Sequence, residues 1–258
     1  MADSILTIEQ LSKSFDGVKA VDGLSVEIVA GRITALIGPN GSGKTTVFNL
    51  VSGLVHPDSG CVRLENSDIT SMPPHRIARA GIGRTFQMIR LCAQLTVLEN
   101  VMLAFRYPLG ERLLPTLITQ SQVRQEESEV RVRAMNCLES VQMQDKADAL
   151  GNELSHGQRR LVEIARALAL NPKLMLLDEP MSGLSPAAID TVKLIIAETK
   201  AKGITILFID HDMKVVSDIS EHVVVLNYGR KIAEGTVEEI KSDPEVQSAY
   251  LGRNKCAT

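Results

Sequence analysis

The 258-residue sequence has no apolar run that approaches the roughly 20 residues needed to cross a membrane as a helix. Its apolar stretches LMLL and VVVL have the length of short buried strands. The N-terminal segment MADSILTIEQ carries charge early and lacks the apolar centre of a secretory signal. We therefore predict that, if the protein works at a membrane, another chain spans it.

Close cysteine pairs and a strong charge imbalance are also missing. The four cysteines, Cys61, Cys92, Cys137 and Cys256, are scattered, which favours reduced thiols in a cytosolic protein over a disulfide framework or a metal site. The formal net charge is only −3, so the composition predicts no nucleic acid held by bulk electrostatics. Hydrophobic residues make up 44% of the chain, which is enough for a sizeable core.

The pattern of apolar residues changes along the chain. SILTIEQL and LSVEIVAG alternate apolar and polar residues, as half-buried strands do, and RITALIG predicts a strand that runs into a glycine-rich turn. The middle, from about Thr96 to Leu154, has little strand signal and contains a long charged helical pattern, SQVRQEESEVRVRAMNCLESVQM. The remainder alternates helices with short apolar strands, which predicts a parallel sheet covered by helices.

A glycine-rich loop predicts nucleotide binding. Residues 38–45, GPNGSGKT, fit the pattern G-x-x-x-x-G-K-[ST] between a predicted strand and a predicted helix. Such a loop points backbone N–H groups at phosphate oxygens, and the helix N-terminus adds its positive dipole end. We expect Lys44 to reach the β- and γ-phosphates and Thr45 to place its hydroxyl on Mg²⁺. The predicted nucleotide-binding residues of this loop are Gly38, Pro39, Asn40, Gly41, Ser42, Gly43, Lys44, Thr45 and Thr46.

An acidic pair ends a predicted buried strand. KLMLLDEP places Asp178 and Glu179 at the carboxyl end of that strand, the edge at which open α/β sheets bind ligands. Asp178 suits a ligand of Mg²⁺, and Glu179 suits a general base or orienting group for the attacking water. Alone, the pair fits a solvated acidic turn equally well. Together with the glycine-rich loop it favours catalysis.

The order of the short motifs resembles the ATP-binding cassette (ABC) ATPases along nearly the whole chain. GPNGSGKTT, TFQ, LSHGQ, LMLLDEP, SGLSP and IDHD follow one another as they do in that family. IGRTFQ, LTVLENVMLA, RRLVEIARALA, IDHDMKVV and the ending AYLG look like the ATP-binding subunits of importers for branched-chain and other hydrophobic amino acids.

The resemblance implies an α/β fold with a P-loop NTPase core of the RecA-like type, an antiparallel β subdomain and a helical subdomain that carries the signature motif. We expect residues 1–258 to form a single nucleotide-binding domain. Within it, residues 1–90 and 159–258 are expected to form the β subdomain and the core. Residues 91–158 are expected to form the helical subdomain.

The resemblance also implies roles for single residues. Phe15 lies where the family's adenine-stacking aromatic usually sits, although a core position is an open alternative in a chain with only 3% aromatic residues. Gln87 matches the glutamine that contacts Mg²⁺ and the water and responds to the membrane subunit. His211 matches the histidine that hydrogen-bonds the γ-phosphate. The implied catalytic residues are thus Glu179, His211 and Gln87, and the implied metal ligands are Thr45, Gln87 and Asp178.

The motif LSHGQ matches the signature motif of the family, which acts on the ATP of a partner subunit. Two cassettes pack head to tail around two ATPs, so Ser155, Gly157 and Gln158 are expected to complete a site held by the other subunit. Two residues depart from the common pattern. His156 replaces the first glycine of the motif, and Ser185 stands where many relatives carry aspartate. With these two residues, the sequence does not predict how one ATP site of the dimer affects the other.

The resemblance therefore predicts an ATPase that couples hydrolysis of ATP, with Mg²⁺, to import across the cell membrane. The implied partners are a second ABC ATPase subunit (identical or different), transmembrane permease subunits and, indirectly, an extracytoplasmic substrate-binding protein. The expected location is the cytoplasmic face of the membrane, as a peripheral subunit.

Three alternatives stay open. An ATPase of a lipopolysaccharide or lipid exporter is a close relative, but RTFQ favours import. A cassette ATPase acting on ribosomes or DNA would usually carry two cassettes or a long coiled-coil insertion. A regulator that binds ATP without turnover would not be expected to keep Glu179.

Overall fold

The largest sheet runs through the part of the chain that carries the glycine-rich loop and the acidic pair. The computed structural model describes residues 3–87, 91–105 and 120–251, and within them this sheet has six strands in the order β10-β9-β3-β8-β7-β6. The strands are β3 (Ile33–Ile37), β6 (Ile82–Arg84), β7 (Leu174–Asp178), β8 (Thr205–Ile209), β9 (His222–Asn227) and β10 (Arg230–Gly235). Neighbours pair in parallel except β9 and β10, which form an antiparallel hairpin.

Strands β3, β7 and β8 are buried along their whole length, which explains why each reads as a continuous apolar run. Because these three strands are parallel neighbours, their carboxyl ends lie at one edge of the sheet. The residues that follow them, Gly38, Glu179 and Asp210, are therefore brought to that edge.

A second sheet is antiparallel, with the order β2-β1-β4-β5 among the described strands. Its strands are β1 (Ser4–Phe15), β2 (Val18–Val29), β4 (Ser59–Leu64) and β5 (Ser67–Asp68). One hydrophobic core joins it to the main sheet, since Leu6 and Leu24 share a buried cluster with Phe48, Leu36 and Leu207. Fully burying a side chain of this kind contributes about 1.5–3 kcal/mol, so the core fixes the segments that flank the loop.

The chain divides into two compact units. The first comprises residues 1–84, 173–182 and 196–258 and contains both sheets. Its helices are α1 (Lys44–Val51), α2 (Pro74–Ala80), α7 (Met213–Ile219), α8 (Val237–Ser242) and α9 (Pro244–Leu251). The second unit comprises residues 85–172 and 183–195.

The second unit is helical in its described part. It contains α3 (Val97–Met102), α4 (Gln120–Glu139), a 3₁₀ turn (Gln144–Lys146), α5 (His156–Ala169) and the start of α6 (Pro186–Ala201). These bounds differ from the helical subdomain of 91–158 expected from the sequence. The unit begins at Thr85 and includes α5, because α5 packs against α3 and α4.

The predicted fold class is confirmed, with a parallel core, an antiparallel sheet and a helical region. The long charged pattern forms α4, and the closing hairpin is β9–β10. Strand β6 was missed because its three residues, IGR, are too short to show a period. No helix in residues 3–87, 91–105 or 120–251 has both the length and the apolar composition of a membrane span. Cys256 and the last residue of AYLG lie outside the described residues.

Candidate nucleotide-binding site

The loop between β3 and α1 has a backbone that only glycine accommodates at two positions. Gly38 has φ 148°, and a Cβ there would lie 2.1 Å from the carbonyl oxygen of Leu226. Gly43 has φ 104°, and a Cβ there would lie 2.3 Å from the carbonyl oxygen of Ala20. The glycines predicted from the sequence are therefore required by close backbone approach at both ends of the loop.

Lys44 lies inside the curve of the loop. Its Nζ donates to the carbonyl oxygens of Gly38 at 2.8 Å and Pro39 at 3.0 Å, and the side chain is buried. The Ser42 hydroxyl is also buried and has no hydrogen-bond partner among the described residues. A buried hydroxyl of this kind requires a partner, so the loop suits an added acceptor such as a phosphate oxygen.

Helix α1 begins at Lys44, so the first backbone N–H groups of the helix face the same loop. Thr45 is exposed and Thr46 is half-buried. A cavity of about 390 Å³ opens beside the loop, with residues 39–42 on one side and Tyr228 and Glu245 on another. The loop thus combines a cation, helix N–H groups and space, which together suit a polyphosphate.

Asp178 ends strand β7 and is buried. Its Oδ2 lies 3.6 Å from Nη2 of Arg84, a residue that sequence reasoning quoted only within RTFQ. The Arg84 guanidinium also donates to the Ser52 hydroxyl at 2.6 Å and the Asn49 side-chain oxygen at 2.8 Å, so it ties the strand end to α1. Burial lowers the pKa of Arg84, whereas the Asp178 carboxylate opposes that shift.

The donors expected for Mg²⁺ are oxygen atoms of the kind that this ion prefers. They are the Thr45 hydroxyl and the Asp178 carboxylate, both in the first unit, and Mg²⁺ commonly binds through one or two carboxylates together with substrate phosphates. The residues present therefore fit the ion. Gln87, the third predicted ligand, belongs to the second unit.

Glu179 adopts a strained backbone conformation at the sheet edge. Its φ is 46°, which is uncommon for a residue with a side chain and costs on the order of 1–3 kcal/mol. The conformation is held by its N–H, which donates to Ile209 O at 3.0 Å, and by its carbonyl oxygen, which accepts from Ser182 N at 3.2 Å. These bonds orient a partly buried carboxylate just beyond Asp178, where a catalytic base is expected.

His211 lies next to Glu179. Its Nδ1 is 3.8 Å from Glu179 Oε1 and 4.0 Å from Asp210 Oδ1, while the side chain is 61% exposed. The sequence predicts a buried strand before each of these residues, and the structure adds that the two strands, β7 and β8, are parallel neighbours. An exposed imidazole beside the carboxylate is accessible to a ligand at this edge of the sheet.

Asp210 was missed as a site residue, although the run DHD after a buried strand signalled it. Its Oδ1 accepts from the N–H groups of His211 at 2.8 Å and Asp212 at 3.0 Å, which fixes the turn that carries the histidine. Its Oδ2 is buried without a partner among the described residues. Burial raises the pKa of Asp210.

Phe15 ends strand β1 and is 45% exposed, so the alternative of a core position is wrong. The Lys13 ammonium lies 5.6 Å from the centre of its ring. An exposed ring is available to a ligand, and stacking on adenine stays a prediction.

The signature residues lie in the second unit, at the start of α5. Ser155 is the N-cap: its hydroxyl accepts from Gln158 N at 3.3 Å, and its own N–H donates to the Gln158 side-chain oxygen at 3.0 Å. This reciprocal pair is a capping box. His156 is exposed, and its Nε2 would lie 3.5 Å from a Cβ placed on Gly183. Ser155 and Gln158 thus hold the start of α5, where Ser155 and His156 are exposed.

Ser185, the second departure from the family pattern, accepts a hydrogen bond from Ala188 N at 3.4 Å at the start of α6. Serine and aspartate are about equally good at capping a helix. The substitution therefore preserves the local structure of this turn.

Comparison with known families assigns the chain. The model of the ABC transporter family matches residues 21–182, and a model of the branched-chain amino acid ATP-binding cassette transporters matches residues 230–255. The chain belongs to the ABC transporter family. It is an ATP-binding cassette ATPase.

Similar proteins cover nearly the full length of this ABC ATPase. The high-affinity branched-chain amino acid transport ATP-binding protein BraF of Pseudomonas aeruginosa is 40% identical, over 98% of this chain and 99% of its own. LivG of Escherichia coli, with the same description, is 38% identical over 98% of this chain and 99% of its own. A probable LivG of Methanocaldococcus jannaschii is 40% identical over 96% and 97%.

Solved structures of other cassettes share the fold. The ADP conformation of an ATP-binding cassette of an ABC transporter superposes with a TM-score of 0.84 at 39% identity, covering 96% of this chain and 99% of that chain. A nucleotide-free ATP-binding cassette from an ABC transporter gives 0.83 at 38% identity, covering 96% and 98%. A dimeric bacterial ABC transporter cassette gives a TM-score of 0.73 at 26% identity, covering 90% of this chain and 98% of that chain.

Proposed function

We propose that this chain is the ATP-hydrolysing motor subunit of an importer for branched-chain or other hydrophobic amino acids. One observation carries the proposal. Relatives described as branched-chain amino acid transport ATP-binding proteins match over nearly the whole of both chains, and the specific C-terminal model matches as well. The complete set of Lys44, Asp178, Glu179 and His211 supports turnover rather than nucleotide binding alone.

The first unit binds ATP through the loop and α1. Lys44 exchanges its two loop carbonyls for β- and γ-phosphate oxygens, and the Ser42 hydroxyl and helix N–H groups supply further donors. Thr45 and Asp178 would hold Mg²⁺, which would neutralise charge on the phosphates. Phe15 stacks on adenine at the end of β1.

Hydrolysis takes place at the carboxyl edge of β7 and β8. Glu179 accepts a proton from a water whose oxygen forms the new bond to the γ-phosphorus. The bond from that phosphorus to the β,γ-bridging oxygen breaks, and ADP leaves. His211 hydrogen-bonds the γ-phosphate beside Glu179, in the position that Asp210 fixes.

The second unit carries the residues that contact a second cassette and the permease subunits. Ser155, His156 and Gly157 present N–H and hydroxyl donors at the start of α5, and we place them against the γ-phosphate bound by a second cassette, identical or different. Gln87 responds to transmembrane permease subunits. The chain then works at the cytoplasmic face of the membrane, with substrate delivered by an extracytoplasmic binding protein and without nucleic acid.

Reconstitution tests this function. The chain is co-purified with its transmembrane partners and placed in proteoliposomes, with the substrate-binding protein and radiolabelled leucine, isoleucine or valine on the opposite side. We expect amino-acid uptake that requires ATP and stops with Glu179→Gln. ATP-driven movement of lipid in the opposite direction, without amino-acid uptake, would contradict import and favour the exporter alternative.

A further inference from the structure

Two buried charged side chains lie on α5, beyond the signature turn. Arg160 is 1% exposed and Glu163 is 5% exposed, and Arg160 Nη1 donates to Glu163 Oε2 at 2.8 Å. Buried ion pairs are weak devices for stability, because desolvation offsets most of their attraction. The pair therefore requires an explanation other than stability alone.

The pair also binds the backbone that carries Gln87. Arg160 Nη1 donates to the carbonyl oxygen of Phe86 at 2.8 Å, and Nη2 donates to that of Gln87 at 3.3 Å. Glu163 Oε1 accepts from the N–H of Phe86 at 3.4 Å. The planar guanidinium suits this arrangement, since it reaches two carbonyls and a carboxylate from one position.

The same helix starts with the signature motif. Ser155 caps α5, and Arg160 and Glu163 follow within its first two turns, all inside the second unit. A hydrogen-bonded helix moves as a rigid element. A displacement of the Gln87 backbone is therefore carried to Ser155 and Gly157 with little loss.

Arg84, the first residue of the segment RTFQ, is anchored by other contacts. Arg84 is bound to Ser52 and Asn49 of the first unit, and the boundary between the units falls between Arg84 and Thr85. The segment RTFQ is therefore anchored on one side of the boundary by Arg84 and on the other by the α5 pair.

We propose that Arg160 and Glu163 are positioning residues that join the Gln87 segment and the signature turn into one moving body. The proposal rests on the proposed function, in which Gln87 responds to a permease. Through this link, a shift imposed on Gln87 by the permease changes where the signature turn meets the ATP of the partner cassette.

The first experiment measures the link in the isolated full-length chain. In Arg160→Met/Glu163→Leu both charges are replaced by side chains of similar volume, so no lone buried charge remains. We expect the amide hydrogen of Phe86 to exchange at least tenfold faster, while amides within α5 stay protected. The matched control Val130→Ala truncates a buried residue of α4. In this control we expect faster exchange in α4 and an unchanged exchange rate at Phe86.

The second experiment measures coupling in the complex with the permease. We expect an unchanged KM for ATP, because Lys44 lies in the other unit, but a stimulation of kcat by transported substrate that falls toward onefold. Val130→Ala keeps the stimulation of the wild type. Arg160→Lys retains the positive charge but lacks the planar guanidinium with its several N–H donors. We therefore expect this variant to keep at most part of the wild-type stimulation.

Unchanged exchange at Phe86 in the double variant, or full substrate stimulation in it, would overturn the proposal. A purely structural role would instead lower the melting temperature and reduce activity in the same proportion as Val130→Ala. If the wild-type complex shows no stimulation by any hydrophobic amino acid, the proposed function fails. The exchange at Phe86 then still decides whether the link exists.

Discussion

The two units of the molecule differ in how far their functional residues are buried. In the first unit, Lys44, Asp178 and Asp210 are buried and bonded to neighbouring backbone or side chains before any ligand is considered. In the second unit, Ser155, His156 and Gln87 are exposed. The first unit combines these buried charges with the exposed side chains of Thr45, Phe15 and His211, whereas the three residues of the second unit are all exposed to another molecule. The difference predicts that binding and turnover are separable by mutation.

The largest expected effect is on binding, from Lys44→Ala. The ammonium is expected to make two or more charge-assisted hydrogen bonds to phosphate, each worth about 1.5–3 kcal/mol, so the Kd for ATP rises on the order of 100-fold or more. A fluorescent ATP analogue titrated into the purified chain measures it. The control is Lys19→Ala, which removes an exposed lysine paired with Asp22 of the same unit. Unchanged affinity in Lys44→Ala would remove the loop assignment.

A smaller effect of a different kind is expected from Ser155→Ala. Nucleotide affinity stays within about twofold of wild type, whereas turnover by the two-cassette complex falls by roughly 10- to 100-fold, the equivalent of one hydrogen bond to a charged group. Steady-state ATPase assays, together with binding titrations, separate the two quantities.

Loss of the helix cap is a confounding effect of that substitution, costing about 1 kcal/mol. Thr236→Ala supplies the control, because Thr236 forms the same capping box with Glu239 at the start of α8. We expect Thr236→Ala to keep wild-type turnover. Equal loss of turnover in both variants would show that Ser155 acts only through its helix.

The smallest effect is on stability, through Asp210. Burial raises the pKa of Asp210 above its ordinary value of 3.8, so the folded state holds the proton more tightly than the unfolded chain does. The free energy of unfolding therefore decreases as the pH rises from 3.8 through the higher folded-state pKa, and is constant beyond it. Asp210→Asn lacks this contribution. We expect the difference in melting temperature, wild type minus variant, to be larger at pH 4 than at pH 8; a difference independent of pH would contradict the shift.

The sequence predicted those parts of the site that depend on local patterns. Gly38 to Thr46 follow from spacing, and Glu179 and His211 each follow an apolar run that predicts a buried strand. Only the structure shows that these two strands are neighbours. Arg84, Arg160 and Asp210 were missed, because nothing in the spacing shows that a charged residue is buried. Arg160 and Glu163, three residues apart on a helix, read equally well as a solvated ion pair. Ser155 and Gln158 fit the S-x-x-Q pattern of a capping box, a signal that was present but unused.

The central claim, that the ATP site is complete only when two cassettes meet, is tested most directly by the mass of Glu179→Gln in solution. Light scattering during size exclusion is run with ATP and Mg²⁺, on the variant alone and mixed with the second ATPase of its own transporter. Because binding remains while hydrolysis stops, we predict a stable particle of about twice the 28.1-kDa chain in at least one of the two samples. Only monomer in both, with ATP shown to be bound, would contradict the account.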